Sequence, residues 1–189
     1  MSLQYLPLFP TMIGHKQDLE FTNKLLVTAK DILSDSNNLT NTWGYKSTYG
    51  NISLVDKLDY VKDYIIEFGK EYLQHSLAIT EGLKLDVEIF FSEMKEGDCH
   101  KIHAHPNCLL SGVIYLDVPD NSASINFYDS RNHYDFVGLK TVNNIDLSIY
   151  TIPPKTGLIL IWPAWIKHEV PLNKVNGRIT AVFNIVQNF

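Results

Sequence analysis

The chain has 189 residues, about one domain by the usual prior, and its 45 % hydrophobic and 12 % aromatic content is ample for a packed core. Sixteen Lys and Arg against twenty-one Asp and Glu leave a formal charge of −5 with no long basic run, which argues against nucleic acid as the main partner and leaves only a single strand in a local groove open. The start, MSLQYLPLFPTMIGHK, lacks the charged opening and continuous apolar core of a signal peptide, and no run approaches the roughly 18 apolar residues of a membrane span, so the expectation is a cytoplasmic protein without a membrane partner. Cys99 and Cys108 are too few for a disulfide scaffold and lack paired zinc-ligand spacing; they read as free thiols.

In chain order, Leu19, Leu25, Leu26, Ala29, Ile32 and Leu33 fall near helical spacing and predict a helix from Lys16 to about Leu33. The stretch 34–51 is rich in Asn, Ser, Thr and Gly and reads as a loop, long enough to carry function or a short strand. Leu58, Val61, Ile65, Phe68 and Tyr72, with charges between them, predict an amphipathic helix of about 20 residues, and Gly82 marks its end or the following turn.

From Asp86 onward the pattern changes to short β-branched and aromatic runs separated by turn signals. Strands are expected near 86–93, 101–105, 109–118, 123–128, 148–152, 157–162, 166–170 and 177–187, and eight such strands suit a jelly roll. The expected architecture is therefore one domain over 1–189, mainly β with supporting helices: a helical part at 1–85 and a double-stranded β-helix, the cupin-like jelly roll, at 86–189. The polar segment 131–147 reads as a lid or substrate loop.

The chemistry gathers on a few positions. His103 and His105 are two apart, so an extended strand would point both at one ion with Ala104 facing away, and His168 offers a third imidazole from a distant strand. Three such ligands suit iron, zinc, copper or nickel and leave coordination positions open, a pattern of catalysis rather than of a closed structural site. Ser111, Val113 and Tyr115 share one strand face, as do Arg178, Thr180, Val182 and Asn184. An arginine on an apolar strand needs a partner, and its planar fork matches a carboxylate. Asp117 and Asp129 are weaker ligand candidates because neither has the paired spacing. His100, three residues before His103, is expected on the opposite face. His15, His75 and His133 read as surface or capping residues, and Trp162 and Trp165 as packing around the distal histidine. Arg131 fits a surface charge, an ion pair or a substrate contact equally.

Beyond these residues, the text resembles the Fe(II)- and 2-oxoglutarate-dependent oxygenases, and within them a group from bacteria and phages. The likeness runs nearly end to end: PLFPTMIG, WGYKS at 43–47, HAHPNCLLSGVIYLDVP at 103–119, INFYDSR at 125–131, PPKTGLILIWPAWIKHEVPLN and GRITAVFN. The resemblance implies iron held by His103 and His168, 2-oxoglutarate held at its far carboxylate by Arg178, ten residues after His168, and Tyr115 placed like an assisting tyrosine. Ser111 and Thr180 join them as expected co-substrate contacts. His105 stands where the wider family has a carboxylate, and it is taken as the third ligand. The implied reaction splits 2-oxoglutarate with O2 into succinate and carbon dioxide and hydroxylates a C–H bond on an amino acid, a peptide or protein side chain, or a small metabolite. Two other classes fit the same residues: a three-histidine cupin-type enzyme that dispenses with 2-oxoglutarate, and a non-catalytic ligand-binding jelly roll. The sequence leaves an oligomer open.

Overall fold

Asp18 sets the start of the first helix: its side chain accepts from the Phe21 amide at 3.0 Å, and α1 runs Leu19–Ser34 with Leu25, Ala29 and Leu33 buried. The residues predicted as its first turn belong elsewhere. Gly14–Gln17 forms strand β1, an exposed edge pairing antiparallel with β8 (Leu158–Pro163). The second helix, α2, spans Asp59–Leu77 and buries Val61, Ile65, Tyr72 and Leu73. It ends on Ala78 in the left-handed conformation, φ 55°, rather than on a glycine, and Gly82, φ 76°, falls in the turn that follows.

The computed structural model describes residues 10–40, 45–51, 58–79, 81–130 and 148–188. The expected lid at 131–147, with Arg131 and His133, lies outside them. All eight expected strands are present, as β3 (Leu85–Met94), β4 (His100–His103), β5 (Leu110–Asp117), β6 (Ile125–Tyr128), β7 (Ile149–Ile152), β8, β9 (His168–Val170) and β10 (Arg178–Gln187). A two-residue strand in the long loop, β2 (Lys46–Ser47), brings the described total to ten.

The strands form two antiparallel sheets in the order β1-β8-β5-β10-β3-β2 and β4-β9-β6-β7, the jelly roll anticipated from the strand pattern. The larger sheet has an apolar outer face covered by the helices: Leu25, Ala29, Val61, Ile65 and Leu73 pack against Val87, Ile89, Phe91, Ala181, Phe183 and Ile185. Each fully buried valine, leucine, isoleucine or phenylalanine side chain contributes about 1.5–3 kcal/mol. Gly112 leaves room on that face for the ring of Phe183, its cross-strand neighbour. On the inner face, Val113, Tyr115, Leu160 and Trp162 pack against Ile125 and Phe127 of the smaller sheet and Ile166 in the turn before β9. The site lies between the two. Among the described residues, no helix is long and apolar enough to cross a membrane.

Candidate metal centre and its cavity

His103 ends β4 and pairs in register with His168, the first residue of β9, so sheet hydrogen bonding alone places two imidazoles side by side, 4.3 Å between ring centres. His105 comes by a different route from the one strand parity suggests. The strand stops at His103, and the backbone amide of His105 instead donates to Ala164 O at 2.9 Å, in the turn before β9. Its ring lies parallel to that of His168, 2° between planes, with the two Nε2 atoms 3.3 Å apart. Two ligands at right angles, each about 2.1 Å from an ion, would be about 3 Å apart. One ligand atom from each of His103, His105 and His168 falls within 4.8 Å of the others, so the three could hold a metal ion.

Two of the rings have their tautomer fixed by the backbone. A carbonyl can only accept, so Nδ1–H of His103 donates to Lys101 O at 2.7 Å and Nδ1–H of His168 to Ile166 O at 2.9 Å. Each Nε2 is then left with a lone pair facing the cluster, the carbonyl serving as the orienting partner of a ligating imidazole. Burial, reinforced by the neighbouring histidines, pushes His168 down to about 3 and His105 to about 4, and burial lowers His103 against the pull of its Lys101 bond. All three are therefore neutral near pH 7, the protonation state that binds metal.

His100 also belongs to this group, contrary to its expected opposite face. The ladder between β4 and β9 is irregular between His100 and His103, and one displaced residue turns a three-residue separation back onto the same side. Its ring stacks on His103 at 3.9 Å, and the Tyr45 hydroxyl lies 3.4 Å from its Nδ1. Burial is the main cause that lowers His100 to about 3, and burial raises Tyr45 to about 12.

The histidines line a cavity that continues past Val113, Tyr115, Thr180 and Val182 to Arg178, with Tyr45, Ser92 and Met94 along its wall. Arg178 is 3 % exposed, and no carboxylate pairs with it among the described residues. Its Nη1 points at Met94 Sδ, 3.3 Å away, and its guanidinium carbon stands 5.4 Å from the centre of the Tyr115 ring. Burial lowers its pKa, opposed by Tyr115. Arg178 Nε, Tyr115 Oη, Ser92 Oγ and Trp162 Nε1 are buried there without a hydrogen-bond partner in the protein. Leaving such groups unmet costs about 1–3 kcal/mol each, so the cavity is built for a polar occupant with an anionic end. Thr180 lines it, whereas Ser111 does not. The Ser111 hydroxyl donates to Asn184 Oδ1 at 3.0 Å.

The remaining residues singled out from sequence lie elsewhere. Asp117 pairs with Lys30 at 3.1 Å, Asp129 borders a separate apolar cavity, and Cys99 and Cys108 are free thiols outside the histidine cluster. His75 donates from Nδ1 to Glu71 O on its own helix, and His15 is exposed. Trp162 is buried with its ring 4.9 Å from that of His168, while Trp165 is 56 % exposed. Of the cavity wall, Tyr45, Ser92 and Met94 had no role in the sequence reading, and His100 was expected on the opposite face. Tyr45 sits within WGYKS, and that resemblance was the one signal pointing to it.

A jelly roll enclosing a histidine cluster and a buried arginine defines a class of mononuclear metal enzyme. The family model described as "Putative 2OG-Fe(II) oxygenase" matches residues 88–184, just over half of the chain and all of the cavity wall except Tyr45. The chain belongs to this family and is a 2-oxoglutarate-dependent dioxygenase using Fe(II). No curated protein sequence matches it significantly. Solved structures show the same fold. A prolyl-4-hydroxylase from Pseudomonas putida superposes with a TM-score of 0.66 at 13 % identity, covering 95 % of this chain and 94 % of that one. A prolyl hydroxylase from Trichoplax adhaerens, in complex with a hypoxia-inducible-factor peptide fragment, gives 0.64 at 11 % identity, with 93 % and 83 % covered. The epimerase SnoN, in complex with Fe3+, alpha-ketoglutarate and nogalamycin RO, gives 0.64 at 16 % identity, with 94 % and 79 % covered.

Proposed function

We propose that His103, His105 and His168 hold the iron, that Arg178, assisted by Tyr115 and Thr180, holds the distal carboxylate of 2-oxoglutarate, and that the enzyme hydroxylates a C–H bond of an amino acid, a peptide or protein side chain, or a small metabolite. The observation that carries this reading is the buried guanidinium of Arg178, without a carboxylate partner among the described residues, in one cavity with three convergent imidazoles. A buried cation in that setting is stabilised only when an anion arrives, and a dicarboxylate with one end at the histidines and one at Arg178 supplies it.

The iron, once bound with 2-oxoglutarate, supplies the redox chemistry that couples decarboxylation to oxidation of the substrate. The chain's own residues do the rest. The carbonyls of Lys101 and Ile166 aim His103 and His168. Tyr115 Oη, buried and without a partner in the protein, is a donor suited to a carboxylate oxygen beside Arg178. Met94, whose sulfur covers the guanidinium, has to swing aside for the carboxylate, which its three flexible bonds allow. Val113, Ile125, Trp162 and Val182 keep the centre dry, which strengthens each charge-assisted contact. Because three neutral ligands leave a divalent ion at its full formal charge, this site should hold an anionic co-substrate more strongly than one with a carboxylate ligand.

Succinate formation measured against 2-oxoglutarate concentration tests the assignment. Arg178→Ala should raise the half-saturating concentration by a factor of 30 or more, since a desolvated charge pair is worth about 2–5 kcal/mol, with little effect on iron loading. Arg178→Lys should recover only part, because a point charge replaces a fork. An unchanged half-saturation in Arg178→Ala would remove Arg178 from the co-substrate site.

A further inference from the structure

Strand register places a second charged group on the inner face of the large sheet, at the end away from Arg178. Glu88, Asn184, Ser111 and Trp162 are direct neighbours on β3, β10, β5 and β8 and form one row across the sheet. By alternation, Glu88 shares its face with Ser92 and Met94, and Asn184 with Arg178, Thr180 and Val182, all of which line the cavity. The row reaches the metal centre at Trp162, whose ring is 4.9 Å from that of His168. Arg178 lies six residues along β10 from Asn184, about 20 Å at the usual strand rise. The histidine cluster lies between these ends, since His168 meets Trp162 on one side and His103 stacks on His100, a wall residue of the cavity that ends at Arg178.

The Glu88 carboxylate is held in place from inside. Ser111 Oγ donates to Asn184 Oδ1 at 3.0 Å, which leaves the Asn184 amide nitrogen to donate to Glu88 Oε2 at 3.2 Å. Both Ser111 and Asn184 are buried, 0 % and 3 % exposed, while Glu88 is exposed. Two buried polar residues thus orient one exposed carboxylate on the inner face of the large sheet. That carboxylate has no cationic partner among the described residues. Neither co-substrate uses it: 2-oxoglutarate is an anion, and O2 is uncharged.

Resting on the proposed site, we infer that Glu88 anchors a cationic group of the prime substrate, which is therefore an ammonium- or guanidinium-bearing molecule or side chain entering from the Glu88 end while 2-oxoglutarate occupies the Arg178 end. Opposite charges on one sheet face, Arg178 at the start of β10 and Glu88 near the start of its antiparallel neighbour β3, sort the two organic substrates: each attracts one and repels the other. This assigns Ser111 a positioning part, through Asn184 and Glu88, on the substrate side.

The test uses the full chain loaded with Mn(II) and 2-oxoglutarate under nitrogen, with proton relaxation of small probes as the readout. The probes are Nα-acetyl-lysine methylamide, Nα-acetyl-arginine methylamide and the uncharged Nα-acetyl-norleucine methylamide. The lysine and arginine probes should be relaxed at least tenfold more than the norleucine probe, and the difference should shrink as salt is raised. Glu88→Gln, which keeps a side chain that Asn184 can bond, should abolish the difference. Glu88→Lys should transfer the preference to Nα-acetyl-glutamate methylamide, an effect that a merely structural role would not produce. Circular dichroism confirms that each variant is folded. Equal relaxation of the charged and uncharged probes, no relaxation of any of them, or a cationic preference that survives Glu88→Gln overturns the inference. The resonances of 2-oxoglutarate in the wild-type sample separate the two levels: if they are unaffected by Mn(II) the proposed site itself fails, and if they relax while the cationic probes do not, only the role of Glu88 fails.

Discussion

Single side chains carry the sharpest consequences. His103→Ala and His168→Ala should each abolish iron loading, read by metal analysis of the purified protein, with the fold kept, because both residues lie at strand ends rather than in the apolar cores. His105→Ala should weaken metal binding about as severely, and His105→Asp should retain iron and partial turnover by substituting the commoner carboxylate ligand; wild-type iron affinity in His105→Ala would move the third ligand elsewhere. These residues were singled out in the sequence by the two-residue spacing of His103 and His105 and a distant third histidine, and the structure brings the three within reach of one ion. His100 was not. Parity is a rule for regular strands, and one irregular residue between His100 and His103 inverts its answer. Likewise the convergence of His105 was anticipated from a strand that in fact ends two residues earlier; a hydrogen bond to Ala164 does what the pleat was expected to do. The link from Ser111 through Asn184 to Glu88 spans three strands, and pairing register across strands is invisible in a linear text.

Secondary-structure elements obey simpler rules, and more of them were readable. Of the eight strands from Asp86 onward, β3, β5, β8 and β10 bury long runs rich in β-branched and aromatic residues, so their pattern is strong, whereas β1 is Gly-His-Lys-Gln on an exposed edge and β2 is two residues long. Neither carries a periodic signal, and only the sheet beside it makes each a strand. The same sheet dictates Gly112. A Cβ there would meet the Phe183 ring and sit 2.5 Å from Leu160 O, a backbone atom that cannot step aside. Gly112→Ala should therefore destabilise the protein by about 1–3 kcal/mol, read as a lowered urea midpoint with unchanged slope. At the end of α2 the opposite change is expected to help. Ala78 adopts φ 55°, where a Cβ is penalised, so Ala78→Gly should raise stability by up to about 1 kcal/mol; a loss of stability in the same urea titration would mean that contacts of the alanine methyl outweigh the strain.

At the scale of the whole molecule, the buried histidines couple folding to pH and metal. His100, His105 and His168 have pKa values of about 3, 4 and 3 in the folded chain, below the ordinary 6.5, and His103 is lowered as well. The unfolded chain thus takes up protons first as pH falls, so their contribution is fully present above about pH 6.5 and is lost progressively down to about pH 4–3. Each group can contribute a slope of at most about 1.4 kcal/mol per pH unit, and urea denaturation of metal-free protein at pH 7, 6 and 5 should show falling stability, steeper than any single histidine allows. A bound metal stabilises the folded chain by mass action, about 2.7 kcal/mol at a hundredfold its dissociation constant, and its loss should share the same acid limb. In the proposed reading, one cavity with three histidines at one end and Arg178 at the other binds iron and 2-oxoglutarate together. Titrating 2-oxoglutarate into the Fe(II)-loaded protein under nitrogen, followed by visible absorption, tests it most directly. A saturable charge-transfer band from chelation of the iron is expected, absent in His168→Ala and displaced to much higher concentration in Arg178→Ala; iron-loaded protein that develops no band at any 2-oxoglutarate concentration would rule the shared cavity out.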